Sequence, residues 1–176
     1  MSFIGAVKKG VTYTPGWFLA HNDETCTRET KEIAQSGATT DDQGNKYVPM
    51  GTIYPSNDGN ATGIVYEDVD VTTGNMPGSV VTKGIVYEDR LAITGETYNE
   101  ASPAEGDNPQ AKGWYEKIEV GSQGAYIYQP TTDTTVDDQK TYYVKVYTRM
   151  SGAAKSALSA LGFTFIASAP AVERPY

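Results

Sequence analysis

Residues able to do covalent or metal chemistry are few in this chain of 176 amino acids. His21 is its only histidine and Cys26 its only cysteine. No multi-histidine zinc site is therefore possible, and no Cys/His cluster exists. A Ser-His-Asp triad would have to use His21, yet no Gly-x-Ser-x-Gly elbow occurs, and no serine has a lysine three residues later. His21 stands beside Asn22 and Asp23 and reads as a loop residue. Cys26 sits in "NDETCTRET", among acidic and neutral neighbours that do not lower a thiol pKa, and reads as structural. Neither GxxxxGK[ST] nor GxGxxG is present to cradle a phosphate. The acidic groups Glu67/Asp68/Asp70 and Asp41/Asp42 lack the register of a calcium loop and read as strand ends and turns. Nothing marks a pair of carboxylates for glycoside hydrolysis. Asn60-Ala61-Thr62 matches a glycosylation acceptor, a match discounted for want of a leader sequence. The expectation is a protein with no catalytic set, no metal and no cofactor.

Two groups of residues suit binding instead. Trp114, Tyr115, Tyr126 and Tyr128 lie close in sequence, with Tyr142, Tyr143 and Tyr147 following. Exposed together, such rings stack against sugars or anchor a protein interface. Packed across strands, the same rings form the core that a module of about 40 residues otherwise lacks. The second group is N-terminal: "SFIGAVKKGVTYTPGWFLA" holds Phe3, Ile4, Val7, Val11, Tyr13, Trp17 and Phe18. Trp17 and Phe18, beyond the Pro15-Gly16 turn, are expected in the core. Residues 2–14, loosened by Gly5 and Gly10, can add a strand to another protein's sheet edge, with Val11 and Tyr13 on one side. Lys8 and Lys9 would meet acidic groups there. The alternative is an ordinary first strand of the domain.

The elements that must position these residues are mostly strands. The hexamer GIVYED occurs at Gly63–Asp68 and again at Gly84–Asp89. Two copies are too few for a solenoid, so the expectation is two strands lying side by side in one β-domain. "TRETKEIAQSG" allows a short helix or an extended segment whose threonines alternate with charges, and the extended form is favoured. From Thr94, "TGETYNEASPAEGDNPQAKG" has the polar, Pro/Gly-rich character of a linker. It leads to "GWYEKIEV", "AYIYQP" and "TYYVKVY", which read as a small meander. "SGAAKSALSALG" is the one clear helix, capped by Ser151, striped by Ala154, Ala157, Leu158 and Leu161, and stopped by Gly162. "FTFIAS" is a last strand and residues 171–176 a loose tail.

Composition agrees with a mainly β chain: 13 tyrosines and frequent threonines favour strands, and 18 glycines punctuate them. Acidic residues outnumber Lys plus Arg by 22 to 14, a balance that repels nucleic acid. No apolar run reaches the roughly 20 residues of a membrane helix, and Lys8-Lys9 is too small a basic patch for a membrane surface. "MSFIGAVKKG" lacks the pattern of a signal peptide, so the expected place of synthesis is a cytoplasm.

One stretch carries a resemblance. "GTIYPSNDGNATGIVYEDVDVTTGNMPGSVVTKGIVYEDRL", closed by "SGAAKSALSALGFTFIA", resembles the head decoration proteins of tailed bacteriophages, the lambda-type group included. It shares a Gly-Ile-Val strand entering an Asp-Val-Asp segment, a second strand after a variable turn, and a short Ala-rich helix followed by an apolar strand. The resemblance covers about Pro49–Leu91 and Ser151–Ala167 and departs from the family in the long segment between them. That segment is similar to short modules in structural proteins of phages infecting Gram-positive bacteria. The resemblance implies a discontinuous decoration-type core at 1–94 plus 149–170, with 95–148 inserted as linker and small antiparallel β module. It also implies a non-enzymatic virion protein, made in a bacterial host cytoplasm, on the outer surface of the phage head. Its partners would be the major capsid protein, met by Lys8, Lys9, Val11 and Tyr13, and two further copies of itself in a homotrimer that stabilises the capsid. The other expectation is a head-fibre or adhesin-like module whose Trp114, Tyr115, Tyr126 and Tyr128 recognise a host or glycan surface.

Overall fold

A computed structural model describes residues 14–20, 26–120 and 124–170. They form two compact units, one from Met1–Ile93 with Arg149–Tyr176 and one from Thr94–Thr148. The first unit contributes β1 (Thr27–Ile33), β2 (Thr39–Thr40), β3 (Lys46–Val48), β4 (Ile53–Tyr54), β5 (Gly63–Val65), β6 (Val69–Asp70), β7 (Met76–Lys83) and β8 (Ile85–Tyr87). The second supplies β9 (Gly95–Glu100), β10 (Tyr115–Val120), β11 (Ala125–Pro130) and β12 (Tyr142–Thr148). The first then resumes with the helix α1 (Gly152–Ala160) and β13 (Thr164–Ile166). The protein is mainly β with one short helix.

The first unit is organised by the antiparallel sheet β1-β7-β5-β4. Successive residues of a strand face opposite ways, and the central strands β5 and β7 bury both sides. Ile64 and Val81 enter one cluster with Phe18, Leu91, Leu158 and Phe163. Val65 and Val80 enter another with Ile33, Val69 and Val71. Seven of these side chains (Phe18, Ile64, Val69, Val71, Val80, Val81, Leu158) have no exposed surface, and each stabilises the fold by about 1.5–3 kcal/mol on burial. Phe18 is in the core as expected, whereas Trp17 is half-buried, with the Arg90 guanidinium 3.8 Å from its ring centre.

The two hexamers do not lie side by side. The first copy's strand, β5, pairs with β4 and β7, while the second copy's, β8, pairs in parallel with β13 in a separate sheet. The segment leading into the second copy, β7, takes the place beside β5. It reaches eight residues and can pair on both edges, whereas the second hexamer turns into a 3-10 turn at Glu88–Arg90 after three strand residues. "TRETKEI" is extended, as β1.

The helix begins where Ser151 Oγ accepts a bond from the Ala154 amide at 3.0 Å. Gly162 follows with φ +97°, a left-handed conformation that glycine adopts without penalty. Of the apolar stripe, Ala154 and Leu158 are buried, Ala157 packs against the core, and Leu161 is half exposed. The return of the chain is tied to the rest of this unit through Asn57, whose Oδ1 accepts from the Ser151 amide at 2.8 Å. Arg149 Nη1 donates to the Leu91 carbonyl at 2.6 Å.

Candidate interaction surfaces

The second unit is a four-stranded antiparallel sheet in the order β11-β10-β12-β9. Two departures from the expected arrangement appear. The stretch read as linker contains β9, an edge strand paired with β12 along its whole length. Strand β12 lies beside β10, not beside its predecessor β11, so the sheet is not a simple meander. "GETYNE" carries only Thr97 and Tyr98 as strand-favouring residues, and the polar, Pro/Gly-rich stretch that follows it gives the segment a linker's character. The ends of the unit meet: the Thr94 amide donates to the Thr148 carbonyl at 2.8 Å.

The register sorts the aromatic residues onto two faces, because directly opposed residues share a face. Tyr115 opposes Tyr143, Lys117 opposes Tyr128, and Lys145 opposes Tyr98, which puts four tyrosines on one side. Tyr98 stacks on Tyr128 with centroids 4.0 Å apart and planes 2° apart. In a flat sheet their strands, β9 and β11, would be roughly 14 Å apart, three strand spacings. The sheet therefore bends over this face, and the rings fill the concavity. Tyr98 meets Tyr115 edge-on at 5.2 Å, and Tyr128 meets Tyr143 likewise at 5.1 Å. All four are half-buried. At the rim Lys117 lies 4.0 Å from the ring centre of the exposed Tyr126.

The opposite face holds Trp114 and Tyr142, both buried, with centroids 5.7 Å apart. Tyr142 carries a polar network. Its hydroxyl donates to Asp133 Oδ2 at 2.7 Å and accepts from the Asp137 amide at 3.1 Å. Lys140 Nζ lies 2.8 Å from the same Asp133 oxygen and 3.3 Å from Glu116 Oε1, which also takes a short bond from the Thr131 hydroxyl. The Lys140 ammonium, then the Tyr142 hydroxyl, hold the Asp133 carboxyl below the usual range. Asp133 in turn raises Lys140, while burial first and Asp133 second raise the Tyr142 phenol. Both charged partners are thus favoured in their ionised forms, and the network ties Asp133, Asp137 and Lys140 to Tyr142 and Glu116. The cavity beside it, about 320 Å³, is walled mainly by polar groups, among them Glu116, Lys117 and Lys140.

Of the four residues expected to form a recognition surface, the register puts Tyr115, Tyr126 and Tyr128 on one face and Trp114 on the other. Trp114 is buried on one face; Tyr115 and Tyr128 are half-buried on the other; of the four only Tyr126 is exposed. Trp114, Tyr115 and Tyr128 each pack against another ring of the module. Lys8, Lys9, Val11 and Tyr13 lie outside the described residues. Three residues of the acidic groups bind backbone: Asp41 accepts from the Gln43 and Asn45 amides, Asp68 from the Met50 amide and Asp70 from the Thr72 amide. Hydrogen bonds, Asn45 first among them, lower the Asp41 pKa, and the Thr72 amide lowers that of Asp70. Comparison with protein-family models, curated proteins and solved structures gives no match to this chain.

Proposed function

We propose that the protein is a structural component of a tailed-phage virion that binds the outer surface of the head as a homotrimer and stabilises the shell. The observation that carries this reading is the way the family-like segments close on one another. Ile53, Ala61, Ile64, Val81, Val86 and Leu91 from the first stretch share a single cluster with Ala154, Leu158 and Phe163 from the second. The stretch that departs from the family forms its own unit, 94–148, with its two ends hydrogen-bonded. That is how a module sits when it is inserted between halves of an established domain. Docking is assigned to the N-terminal segment, with Val11 and Tyr13 filling pockets on the capsid protein and Lys8 and Lys9 meeting its acidic groups.

The test is co-sedimentation with heads of the parent phage that lack decoration. The full chain should pellet with heads at a saturating stoichiometry, and a chain lacking Met1–Gly10 should stay in the supernatant with its melting transition unchanged. A truncated chain that binds like the full one would remove Lys8 and Lys9 from the docking assignment, and a full chain that never binds would remove the reading itself.

A further inference from the structure

Strand β1 ends its four-stranded sheet, and among the described residues no strand pairs with its outer edge. Its neighbours fix which of its backbone groups face outward. The Ser79 carbonyl accepts from the Tyr66 amide at 2.9 Å, so Ser79 turns its polar groups toward β5. Thr30, opposite Ser79, therefore belongs to a non-hydrogen-bonded pair and directs its own N–H and C=O away from β7. Arg28 and Glu32, two residues to either side, do the same. Glu32 opposes Pro77, which has no N–H to offer. Thr27, Arg28, Glu29, Thr30 and Glu32 are exposed.

A second copy pairing antiparallel with this edge must set outward residue against outward residue. Every such register places one residue of β1 on a two-fold axis, opposite its own copy. Centred on Arg28, Glu29, Lys31 or Glu32, the register opposes like charges. Centred on Thr30 it opposes Thr30 to Thr30, Glu29 to Lys31 and Arg28 to Glu32, the latter two each occurring twice. Glu29 and Lys31 already stand 2.6 Å apart within one chain, so the Glu29–Lys31 pairs would form an alternating four-charge cluster on one face.

We propose that β1 is a self-association edge, through which two copies join their four-stranded sheets across a two-fold axis at Thr30. The two Thr30 residues exchange a pair of backbone hydrogen bonds, and each Arg28–Glu32 pair exchanges two more. Charge does the selecting. The chain as a whole carries −8 and repels its copies, but Arg28, Glu29, Lys31 and Glu32 sum to zero and complement themselves in one register alone. A two-fold contact cannot close the trimer proposed above; it goes beyond that reading and would link one trimer to the next.

Sedimentation velocity of the full chain over rising micromolar concentration tests this. The wild-type mass should rise beyond that of its basal assembly, first to twice that mass. Lys31→Glu, which opposes Glu to Glu29 twice, should weaken the doubling about tenfold. Adding Glu29→Lys to that variant restores opposite charges and should restore the association. Thr30→Pro removes the central N–H and should abolish doubling. Melting curves identify any variant that fails to fold, and the charge swap then carries the decision. Absence of doubling in the wild type overturns the proposal, as does a Lys31→Glu chain that associates normally or a folded double variant that stays weak. Loss of head binding in β1 variants of a protein that never doubles would assign the edge to a capsid strand instead.

Discussion

Gly63 and Gly84 open the two copies of the repeated hexamer, and replacing each by alanine should give opposite results. A Cβ at Gly63 would stand 2.5 Å from the Val81 carbonyl oxygen and 2.5 Å from Val80 Cγ1. The carbonyl belongs to β7, which is held between β1 and β5 and cannot retreat without breaking its ladder. Overpacking a core costs about 1–3 kcal/mol, and a backbone obstruction puts Gly63→Ala at the upper end. A loss of about 3 kcal/mol lowers the melting temperature by roughly 10 °C in a domain of this size. At Gly84 the nearest atom to the new Cβ is the Leu19 Cδ2 methyl at 3.3 Å, the far end of a side chain that can rotate. Alanine also reduces the freedom of the unfolded chain, worth about 0.4–1 kcal/mol, so Gly84→Ala should be near neutral. Paired thermal and urea melts of the two variants decide it. Equal losses, or a larger loss at Gly84, would refute the argument that two identical hexamers meet different surroundings.

Replacing Thr94–Thr148 by a short Gly-Ser linker should leave a first unit that still melts cooperatively, followed by circular dichroism and calorimetry. Tyr142→Phe removes the bond to Asp133 and the acceptor of the Asp137 amide, and should destabilise the second unit by about 1 kcal/mol, read from protection of the β12 amides in hydrogen exchange. Because the folded-state pKa of Asp133 is lowered, its contribution is present above the unfolded value of about 3.9 and is lost as pH falls below it. Melting of the second unit should therefore weaken on acidification through that range, and Asp133→Asn should flatten the dependence. Ser151→Ala should cost about 1 kcal/mol in the first unit through loss of the helix cap, measured by chemical denaturation.

What the sequence disclosed follows the range of the forces involved. The helix was legible because its signals are local: Ser151 caps three residues away and Gly162 ends the last turn. The extended form of Thr27–Ile33 and the mainly β class were legible from alternation and composition. Strand partners were not, since a hexamer encodes its own extension and not its neighbour; β7 displaced the second copy because it pairs along both edges. Strand β9 was hidden by the Pro- and Gly-rich segment after it. Sequence leaves the tyrosines open to either surface or core, and the bend of the sheet, seen in the stacking of Tyr98 on Tyr128, favours packing. The self-complementary charges of β1 become meaningful once the strand is known to be an edge and its hydrogen-bond phase is fixed.

The central claim, that this chain decorates a phage head, is tested most directly by cryo-electron microscopy of the parent particle. The account predicts density fitting the first unit on the outer surface of the shell, in three copies about local three-fold positions, with residues 2–14 ordered against the capsid protein. A particle whose heads are bare while the protein is present in the virion elsewhere, or absent from it, would contradict the account.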